Sequence, residues 1–553
     1  MNSLLPCKEQ NFRFSTRHFV YLALVLLTNA CTFRVNSLAD APDANPGDGS
    51  CESATGLCTL RAAVMEANAY SYASAIEVPS GLYELTLPAK AGGGRLEITR
   101  GLKIQGAGAT IIDGHGADIV LYVKSGNVAI NNLTVQGGNS QGGAGIRVDD
   151  ATVVLNNLTI KNNNAFTGGG GLYITNEGTV TIRRSTISNN SATGAFGGGI
   201  WNQGELWVYD STIVNNDSNR AGGVRNEGQM NLRNTTVSGN IAHSSEAGTG
   251  GISQNGFAVL NNVTVTNNTG VGNNPGSFRG GGIQIVAGKT TVLKNSIIAG
   301  NHGGTGPNDC DGALSGDSKY NLIGDPDGCV ITLYLDTYAS YNGTPACLAE
   351  WAKFSETTAV ACLDPVNAQL GPLANNGGPT QTHLPAALSK AREKGYSFPP
   401  PAADACEGRD QRGVPRPQGS GVCDMGSVEV TSANLFVTGL VLVDAAANSD
   451  IRPLLHGDTL FLADLPSELS IRAVVTGSPG SVVFGYDNAP SFQTENVSPY
   501  ALAGDSPAGD YIPFPFSTGA HTITATPFAA MAGVGAAGGS HSATFAVRQG
   551  SIN

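Results

Sequence analysis

Charge is scarce in this sequence, and basic residues are scarcer than acidic ones. Only 13% of the 553 residues are Asp, Glu, Lys or Arg, about half the usual share in soluble proteins. The 31 Lys and Arg residues stand against 43 Asp and Glu residues, which gives a formal net charge of −12 at pH 7. Nucleic acid is therefore not an expected partner, because binding to phosphates requires a basic surface.

The sequence also has few apolar runs and almost no helical periodicity. Its longest apolar run, FVYLALVLL at 19–27, follows Lys8, Arg13 and Arg17 and precedes the small residues of TNAC at 28–31. A basic leader, a short apolar core and small residues predict a secretory signal peptide over 1–30, because the run is too short for a comfortable membrane span. We therefore expect an exported protein at the cell surface, associated with the outer membrane, or extracellular.

Cys31 follows the predicted cleavage point directly. Lipid attachment at Cys31, as in bacterial lipoproteins, would make it an anchor, although Thr28 and Asn29 differ from the usual lipobox. Ordinary cleavage after Ala30 is the alternative and would leave a free cysteine. Contact with a membrane is expected only through such a lipid.

Metal-binding cysteine patterns are absent, since no CxxC pair occurs. Export places cysteines in an oxidising compartment, so structural disulfides are expected. Eight cysteines allow 105 connectivities, of which pairing between sequence neighbours is the simplest. The neighbouring pairs are Cys51 with Cys58, Cys310 with Cys329, Cys347 with Cys362, and Cys406 with Cys423.

One phrase returns along the middle of the chain, as in GGIWNQGELWVYDSTIVNN at 198–216. The copies can be aligned on one position with steps of 25, 27, 26, 24, 28 and 33 residues. Short alternating runs separated by Gly and Asn, with this period, predict a right-handed parallel β-helix with one coil per copy. The aligned residues are Thr134, Thr159, Thr186, Thr212, Thr236, Thr264 and Ile297.

Stacking of the coils should bury what a single coil cannot. We expect one internal aliphatic column, and an asparagine column at one bend where amides hydrogen-bond along the stack. The aliphatic column is predicted as Ile174, Ile200, Val224, Ile252 and Ile283. The asparagine column is predicted as Asn162 or Asn163, Asn190, Asn216, Asn240, Asn268 and Asn301.

The predicted fold class is all-β, a right-handed parallel β-helix followed by an Ig-like β-sandwich. A cap at 31–75 should carry a short amphipathic helix, because Leu60, Val64 and Ala67 form one apolar stripe in CTLRAAVMEANA. The β-helix should span 76–330, followed by a disulfide-containing region at 331–432. Alternating runs between 435 and 548 predict the sandwich.

Several stretches resemble known families. FRVNSLADAPDANPGDGSCESATGLCTLRAAVMEANA (33–69) resembles the CSLREA-type leader of exported bacterial β-helix proteins. NSIIAGN, YNLIGDPDGC, LGPLANNGGPTQTHLP, DQRGVPRP and CDMGSVE, between 295 and 429, resemble the choice-of-anchor Q domain. The resemblance implies a surface or secreted repeat protein, similar to polymorphic outer-membrane proteins, and implies no catalysis. FQTENVSPYALAGD (492–505) is similar to Ig-like modules of carbohydrate-associated proteins.

An enzyme of the pectate-lyase-like type, a polysaccharide lyase or glycoside hydrolase, is the rival hypothesis. Such chemistry needs paired carboxylates, or a Ca²⁺ cluster with a base. Acidic residues are sparse in the coils, and Glu177 and Glu227, which lie in equivalent turns, are separated by a whole coil. We therefore predict no catalytic residue and no enzymatic activity.

Binding is the favoured hypothesis for the coils. Exposed aromatic rings stack on sugar faces, and Arg supplies fork-shaped donors. The candidate ligand-binding residues are Tyr173, Trp201, Trp207, Tyr209 and Arg225. The alternative for these rings is packing inside the fold or over its glycine-rich corners.

No cofactor and no metal ligand set are predicted. Ca²⁺ at the oxygen-rich loops DAPDANPGDG (40–49) and DPDG (325–328) is a weaker hypothesis, because Asx turns explain their composition equally well. The sequence thus predicts an adhesion or glycan-binding scaffold, with surface glycans or proteins of host or neighbouring cells as partners. A purely structural surface spacer is the third hypothesis.

Overall fold

The structure is a computed structural model. It describes residues 31–70, 74–88, 94–194, 196–244, 248–271, 280–304, 306–325, 328–330, 338–339, 367–386, 389–392, 394–396, 405–416, 423–430, 435–476, 479–506, 509–528, 531–533 and 537–551. The signal peptide predicted at 1–30 lies outside these residues. In the described part of the chain, no helix is long and apolar enough to cross a membrane.

Parallel strands build a solenoid of about nine turns. Each full turn contributes to three strand columns, here called sheets 1, 2 and 3, and most turns add a short strand to sheet 4. Alternate side chains of each strand point inward, as the burial pattern of Leu121–Gln136 shows. The interior is therefore a continuous aliphatic core.

Sheet 1 contains, in chain order, Leu96–Ile98, the beginnings of Leu121–Gln136 and Ile146–Asn156, Leu172–Ile174, Ile200–Asn202, Val224–Asn226, Ile252–Gln254, Ile283–Ile285 and Cys310–Ala313, which pairs with Cys329–Val330. Sheet 2 contains Cys31–Arg34, Ser74–Val78, the beginning of Leu102–Asp113, the middle of Leu121–Gln136, the end of Ile146–Asn156, Thr179–Arg183, Glu205–Tyr209, the beginnings of Gln229–Ser238 and Phe257–Thr266, and Thr290–Lys294.

Sheet 3 contains Gly81–Glu84, the ends of Leu102–Asp113 and Leu121–Gln136, Thr159–Lys161, Thr186–Ser188, Thr212–Val214, the ends of Gln229–Ser238 and Phe257–Thr266, Ile297–Ile298, Leu322–Ile323 and Tyr338–Ala339. Sheet 4 contains Asn139–Gly142, Asn164–Gly168, Ser191–Ala192, Asp217–Ser218, Ile241–Ala242, Thr269–Gly270, His302–Gly303 and the antiparallel Gly306–Pro307.

The repeat alignment made from the sequence is confirmed in sheet 3. All seven aligned positions, from Thr134 to Ile297, are register partners in successive turns. The prediction of the aliphatic column is wrong at one position, because Ile200 pairs with Leu172 and not with Ile174. The loop after Leu172–Ile174 is two residues longer than the loop after Ile200–Asn202, so the spacing between the sheet 1 strand and the next strand is not constant along the repeat.

The predicted asparagine column is present and fully buried. Its members, Asn163, Asn190, Asn216, Asn240, Asn268 and Asn301, are at most 1% exposed. Nδ2 of each of the first five members donates to Oδ1 of the next member at 2.8–3.0 Å. All six Nδ2 atoms also donate to a backbone carbonyl of the preceding turn. Each amide therefore joins three turns. The positive φ lies one residue earlier, for example at Asn162 and Asn215, so the bend and the ladder use different residues.

The predicted cap helix is present as Leu60–Ala69, with Thr59 as its N-cap. Leu60, Val64 and Ala67 are each 2% exposed and join the solenoid core, as predicted. The solenoid itself starts earlier than the predicted residue 76, because Cys31–Arg34 already pairs with Ser74–Val78.

Three of the four predicted disulfides are formed, namely Cys51–Cys58, Cys310–Cys329 and Cys406–Cys423. The first lies beside the cap helix and the second joins the last strands of sheet 1. The third lies in the described residues between 367 and 430, here called the return segment.

The fourth predicted disulfide is not confirmed. It was expected between Cys347 and Cys362, the two cysteines of the stretch that follows the solenoid. Both Cys347 and Cys362 lie outside the described residues, so their pairing stays a prediction from sequence proximity.

The return segment packs on the outer face of sheet 3. Thr212 donates to the carbonyl of Gln381 at 2.7 Å, and Thr236 donates to Oε1 of Gln411 at 2.7 Å. His383 pairs with Ser238 at 2.9 Å. These threonines are completely buried, so sheet 3 is not available to a ligand in their turns.

A second β region follows at 435–551. Its strands are Phe436–Asp444, Ser449–Leu454, Thr459–Phe461, Leu469–Thr476, Ser481–Tyr486, Ala489–Glu495, Gly519–Phe528 and His541–Arg548. They form a three-stranded and a five-stranded sheet, which share one core that includes Leu442, Phe484 and Phe545. This arrangement is compatible with the predicted Ig-like sandwich.

Candidate functional site

A ladder of rings and guanidinium groups covers the outer face of sheet 1. Tyr122, Arg147, Tyr173, Trp201 and Arg225 are successive register partners. The Arg147 guanidinium lies 5.5 Å from the Tyr122 ring centroid and 5.3 Å from that of Tyr173. The rings of Tyr173 and Trp201 stack at 4.6 Å with an interplanar angle of 17°. Within the ladder, both faces of Tyr173 and one face each of Tyr122 and Trp201 are therefore covered.

The polar atoms of the ladder are also engaged within the protein. Trp201 Nε1 donates to Glu227 Oε2 at 3.2 Å, and Arg225 Nε donates to Glu227 Oε1 at 3.0 Å. Arg225 also donates to Ser253 Oγ at 2.8 Å, and the Tyr173 hydroxyl donates to Gln203 at 2.6 Å. Tyr173, Trp201 and Arg225 thus serve mainly to tie successive turns together.

Glu227 is the electrostatic centre of this part of the ladder. Burial raises the pKa of its carboxyl, but hydrogen bonds from Gln203 and Trp201 and the charge and hydrogen bond of Arg225 outweigh it, so the pKa lies below its ordinary value. The carboxylate stays ionised at neutral pH. It acts as a structural acceptor, because both of its oxygens already receive hydrogen bonds.

Trp207 and Tyr209 lie on a different face, the outer face of sheet 2. Trp207 has Thr181 and Asn231 as register partners in the adjacent turns. Its side chain is 36% exposed. Among the described residues, its indole N–H has no acceptor and its ring stacks on no other ring. Trp207 therefore presents both an unshared ring and an unsatisfied donor to solvent.

Polar side chains surround Trp207 on the same flat face. Glu205 and Tyr209 flank it along its own strand, and the Arg183 guanidinium lies 4.2 Å above the Tyr209 ring. Across the strands the neighbours are those of the preceding and following turns. The complete set, here called the Trp207 surface, is Thr179, Thr181, Arg183, Glu205, Trp207, Tyr209, Gln229, Asn231 and Arg233.

The five residues predicted to bind a ligand therefore do not form one surface. Tyr173, Trp201 and Arg225 belong to sheet 1, whereas Trp207 and Tyr209 belong to sheet 2. Residues two apart on one strand, such as Trp207 and Tyr209, lie on the same face. Trp201 and Trp207 lie on different faces, because the chain turns from sheet 1 to sheet 2 at the corner 203–204. The sequence analysis grouped the five residues because they are close along the chain, and the sequence does not show where the chain turns between sheets.

The ladder has members that the sequence analysis missed. Tyr122 and Arg147 occupy the same register position as Tyr173, two turns and one turn earlier. The signal was the repeat itself, since alignment on Leu121, Ile146 and Leu172 brings the three residues into one column. The carboxylates beside them are also paired, with Asp149 accepting from Arg147 Nε at 2.9 Å.

The loop at 40–49 uses its carboxylates internally. Asp40 pairs with Arg61 at 2.6 Å, both side chains being nearly buried, and accepts the backbone amides of Thr86 and Leu87. Among the described residues, no group of three or more His, Cys, Asp or Glu side chains could hold a metal ion. Part of the second loop suggested for Ca²⁺, at 326–327, lies outside the described residues.

Cys31 begins the first strand of sheet 2 and is 9% exposed. Its sulfur is disulfide-bonded. Lipid attachment would need the same sulfur, so the two states exclude each other at this residue.

Comparison with known families supports the solenoid. Residues 118–306 match the family model of the right-handed β-helix region. These residues contain the asparagine ladder, the sheet 1 ladder and the Trp207 surface, so the class of this region is that of right-handed parallel β-helices. No curated protein matches the chain. The resemblances to the CSLREA-type leader, the choice-of-anchor Q domain and Ig-like modules are not covered by this match and stay predictions.

Proposed function

We propose that this chain is a non-catalytic, exported surface protein that binds glycans through the Trp207 surface. The observation that carries the proposal is the unshared indole ring of Trp207 on a flat, polar face of the β-helix. Pyranose rings stack on exposed indole faces, and the surrounding amide, hydroxyl and guanidinium groups are donors and acceptors for sugar hydroxyls. Adhesion to surface glycans of host or neighbouring cells is the corresponding role.

The surrounding architecture supports this choice of face. Sheet 3 is covered by the return segment in the turns from Thr212 to Asn295. On sheet 1 the rings of Tyr173 and Trp201 cover one face of each other. Sheet 2 keeps the first part of each strand accessible in the same turns, with Trp207 36% and Phe257 44% exposed. At the strand ends, Arg233 and Asn261 contact Glu407 of the return segment. Sheet 2 is thus the face best suited to a long, repetitive polysaccharide.

Surface attachment is the second part of the proposal. A resemblance to exported repeat proteins, a predicted signal peptide and a lipid on Cys31 would place the β-helix on the outer membrane. The lipid requires that Cys31 carry no disulfide in the mature chain. The resemblances to the choice-of-anchor Q domain and to Ig-like modules support the same setting, with the region at 435–551 as a spacer or binding module.

The test is a glycan array with the full-chain protein, followed by titration of any glycan retained. We expect Trp207→Ala to weaken binding by about tenfold or more, the loss typical of a central aromatic anchor. Trp201→Phe is the matched control, because it keeps an aromatic ring beside Tyr173 and removes the hydrogen bond to Glu227 on a different face of the solenoid. It should leave affinity unchanged.

The rival hypotheses give different results in the same experiment. New reducing or unsaturated ends, formed in proportion to the protein, would show a glycoside hydrolase or a polysaccharide lyase and would overturn the non-catalytic proposal. Absence of any retained glycan, with intact folding, would favour the structural spacer.

A further inference from the structure

A cleft lies at the corner between sheets 1 and 4, away from the Trp207 surface. Its volume is about 600 Å³, within the range of about 300–1,000 Å³ that is common for ligand sites. Its lining includes Arg95, Asp118, Asn139, Ser140, Arg147 and Phe166. None of them belongs to the Trp207 surface, so the two faces can be tested separately.

One wall of the cleft is an exposed aromatic ring. Phe166 lies in the sheet 4 strand Asn164–Gly168 and is 60% exposed. Its ring makes no ring or cation contact with another described residue. The position of this ring at the edge of a concave site leaves an apolar face free for stacking on a ligand.

A guanidinium group held in a fixed orientation also lines the cleft. Arg147 lies between the rings of Tyr122 and Tyr173, and its Nε donates to Asp149 at 2.9 Å. In the described part of the chain, the two terminal nitrogens of Arg147 have no acceptor. A fork of donors is therefore preorganised to take two adjacent oxygen atoms.

The charges around the cleft select the kind of oxygen. Arg147 pairs with Asp149 at 2.9 Å, and Arg95 pairs with Glu97 at 3.1 Å. Asp118 adds a further carboxylate to the lining, 3.5 Å from Arg95. Each cation of the cleft is thus already neutralised, and an incoming carboxylate would meet no uncompensated positive charge. Two neighbouring hydroxyl groups can accept from both terminal nitrogens of Arg147 without bringing a further negative charge into the cleft.

The rim completes the recognition of a polar, uncharged ligand. Asn139 and Gln141 contribute side-chain amides, and both are exposed. Ser140 Oγ is buried beside them without a partner among the described residues.

We propose that this cleft binds one residue of a neutral saccharide, with the pyranose ring on Phe166 and a vicinal diol on the Arg147 guanidinium. The site stands apart from the Trp207 surface and requires none of its residues. A β-helix with both sites would hold a glycan, or two glycans, at two faces of the same solenoid.

The experiment uses the full chain with Trp207→Ala, so that only the cleft is measured. The probes are cellohexaose, mannohexaose and maltohexaose, with hexagalacturonate as the charged counterpart. We expect a neutral hexasaccharide to bind, and Phe166→Ala or Arg147→Lys to weaken this binding by about tenfold. Leu57→Ala, at an exposed apolar residue of the cap, is the control and should have no effect. Thermal unfolding confirms that each variant is folded.

Three results would overturn the proposal. They are binding that does not change in Phe166→Ala, binding of hexagalacturonate at least as tight as that of the neutral probes, and no binding of any neutral probe. If glycans are retained by the wild type and lost in Trp207→Ala alone, the cleft proposal fails while the proposed function stands.

Discussion

The backbone amide and the side-chain Nδ2 of Asn301 both donate to Oδ1 of Asp309, each at 2.7 Å. Asp309 thereby takes the position that the next asparagine takes elsewhere in the ladder, and its Oδ2 accepts the amide of Asp325 at 2.7 Å. The last ladder member needs only an acceptor, and a carboxylate is the stronger one. The six amides thus end on an acid that is 2% exposed.

Asp309 should make stability fall as pH rises. Burial raises the pKa of Asp309 to about 6, against which the hydrogen bonds from Asn301 and Asp325 act. Because an unfolded aspartate titrates near 3.9, the folded state holds this proton more tightly. Its stabilising contribution is complete below about pH 4 and is lost as pH rises through about 6, a change of roughly 2–3 kcal/mol.

The measurement is urea unfolding at pH 4, 5, 6 and 7 for the wild type and Asp309→Asn. The free energy of unfolding of the wild type, minus that of the variant, should decrease across this range. Asp317→Asn, at an exposed site in the last turns, should follow the wild type. An equal pH dependence in Asp309→Asn and wild type would refute the assignment.

The middle of the ladder should be sensitive to deletion of one amide. Asn216→Ala removes the acceptor of the Asn190 backbone amide and side chain, and the donor to the carbonyl of Ile187. A buried amide without a partner costs about 1–3 kcal/mol, so we expect a loss of about 3 kcal/mol for the variant. Gln229→Ala, an exposed amide of the neighbouring turn, should cost little. A similar loss in both variants would contradict the role of the ladder.

The return segment should depend on the hydroxyl of Thr236. This hydroxyl lies 2.7 Å from Gln411 Oε1 and 3.0 Å from Ser427 Oγ, and all three residues are buried. Thr236→Val keeps the shape and removes the hydroxyl, which should destabilise the protein by about 1–2 kcal/mol. It should also speed hydrogen exchange at 411 and 427. Thr236→Ser keeps the hydroxyl and should restore slow exchange. Unchanged exchange in the valine variant would mean that the segment is held by other contacts.

Cys31 gives a prediction about attachment. If the lipid is present, intact mass of the protein from membranes exceeds the polypeptide mass, and Cys31→Ser moves the protein into the soluble fraction. The disulfide at Cys31 is then absent from the mature chain. If the mass equals that of the polypeptide from residue 31, cleavage was ordinary and the lipid anchor is wrong. Glycan binding by the Trp207 surface should be the same in either form.

The solenoid could be predicted because each turn repeats the same short pattern of alternating aliphatic residues, Gly and Asn. The seven aligned positions from Thr134 to Ile297 and the asparagine column needed only the repeat and the alternation of side chains. The return segment could not be predicted in this way. Thr212 and Thr236 have the pattern of exposed strand residues, and the groups that bury them, Gln381 and Gln411, lie more than 160 residues later in the sequence.

The candidate sites were predictable in part. Trp207 and Tyr209 were predicted as ligand-binding residues, but the difference between Trp201 and Trp207 depends on the residues in the turns above and below each ring. Tyr173 covers Trp201, whereas Thr181 and Asn231 leave Trp207 open. The cleft at Phe166 depends on a corner between two sheets. No spacing along the chain encodes that corner.

The asparagine ladder gives the solenoid a direction. Each side-chain amide donates a hydrogen bond to the following turn. Each internal turn therefore donates one such bond and accepts one at the same bend. An internal turn can therefore be duplicated or deleted during evolution without new chemistry at its boundaries. The turn that ends on Asp309 cannot be exchanged in this way, because an ionised carboxylate in the middle of the ladder would accept a hydrogen bond but could not donate one to the next turn.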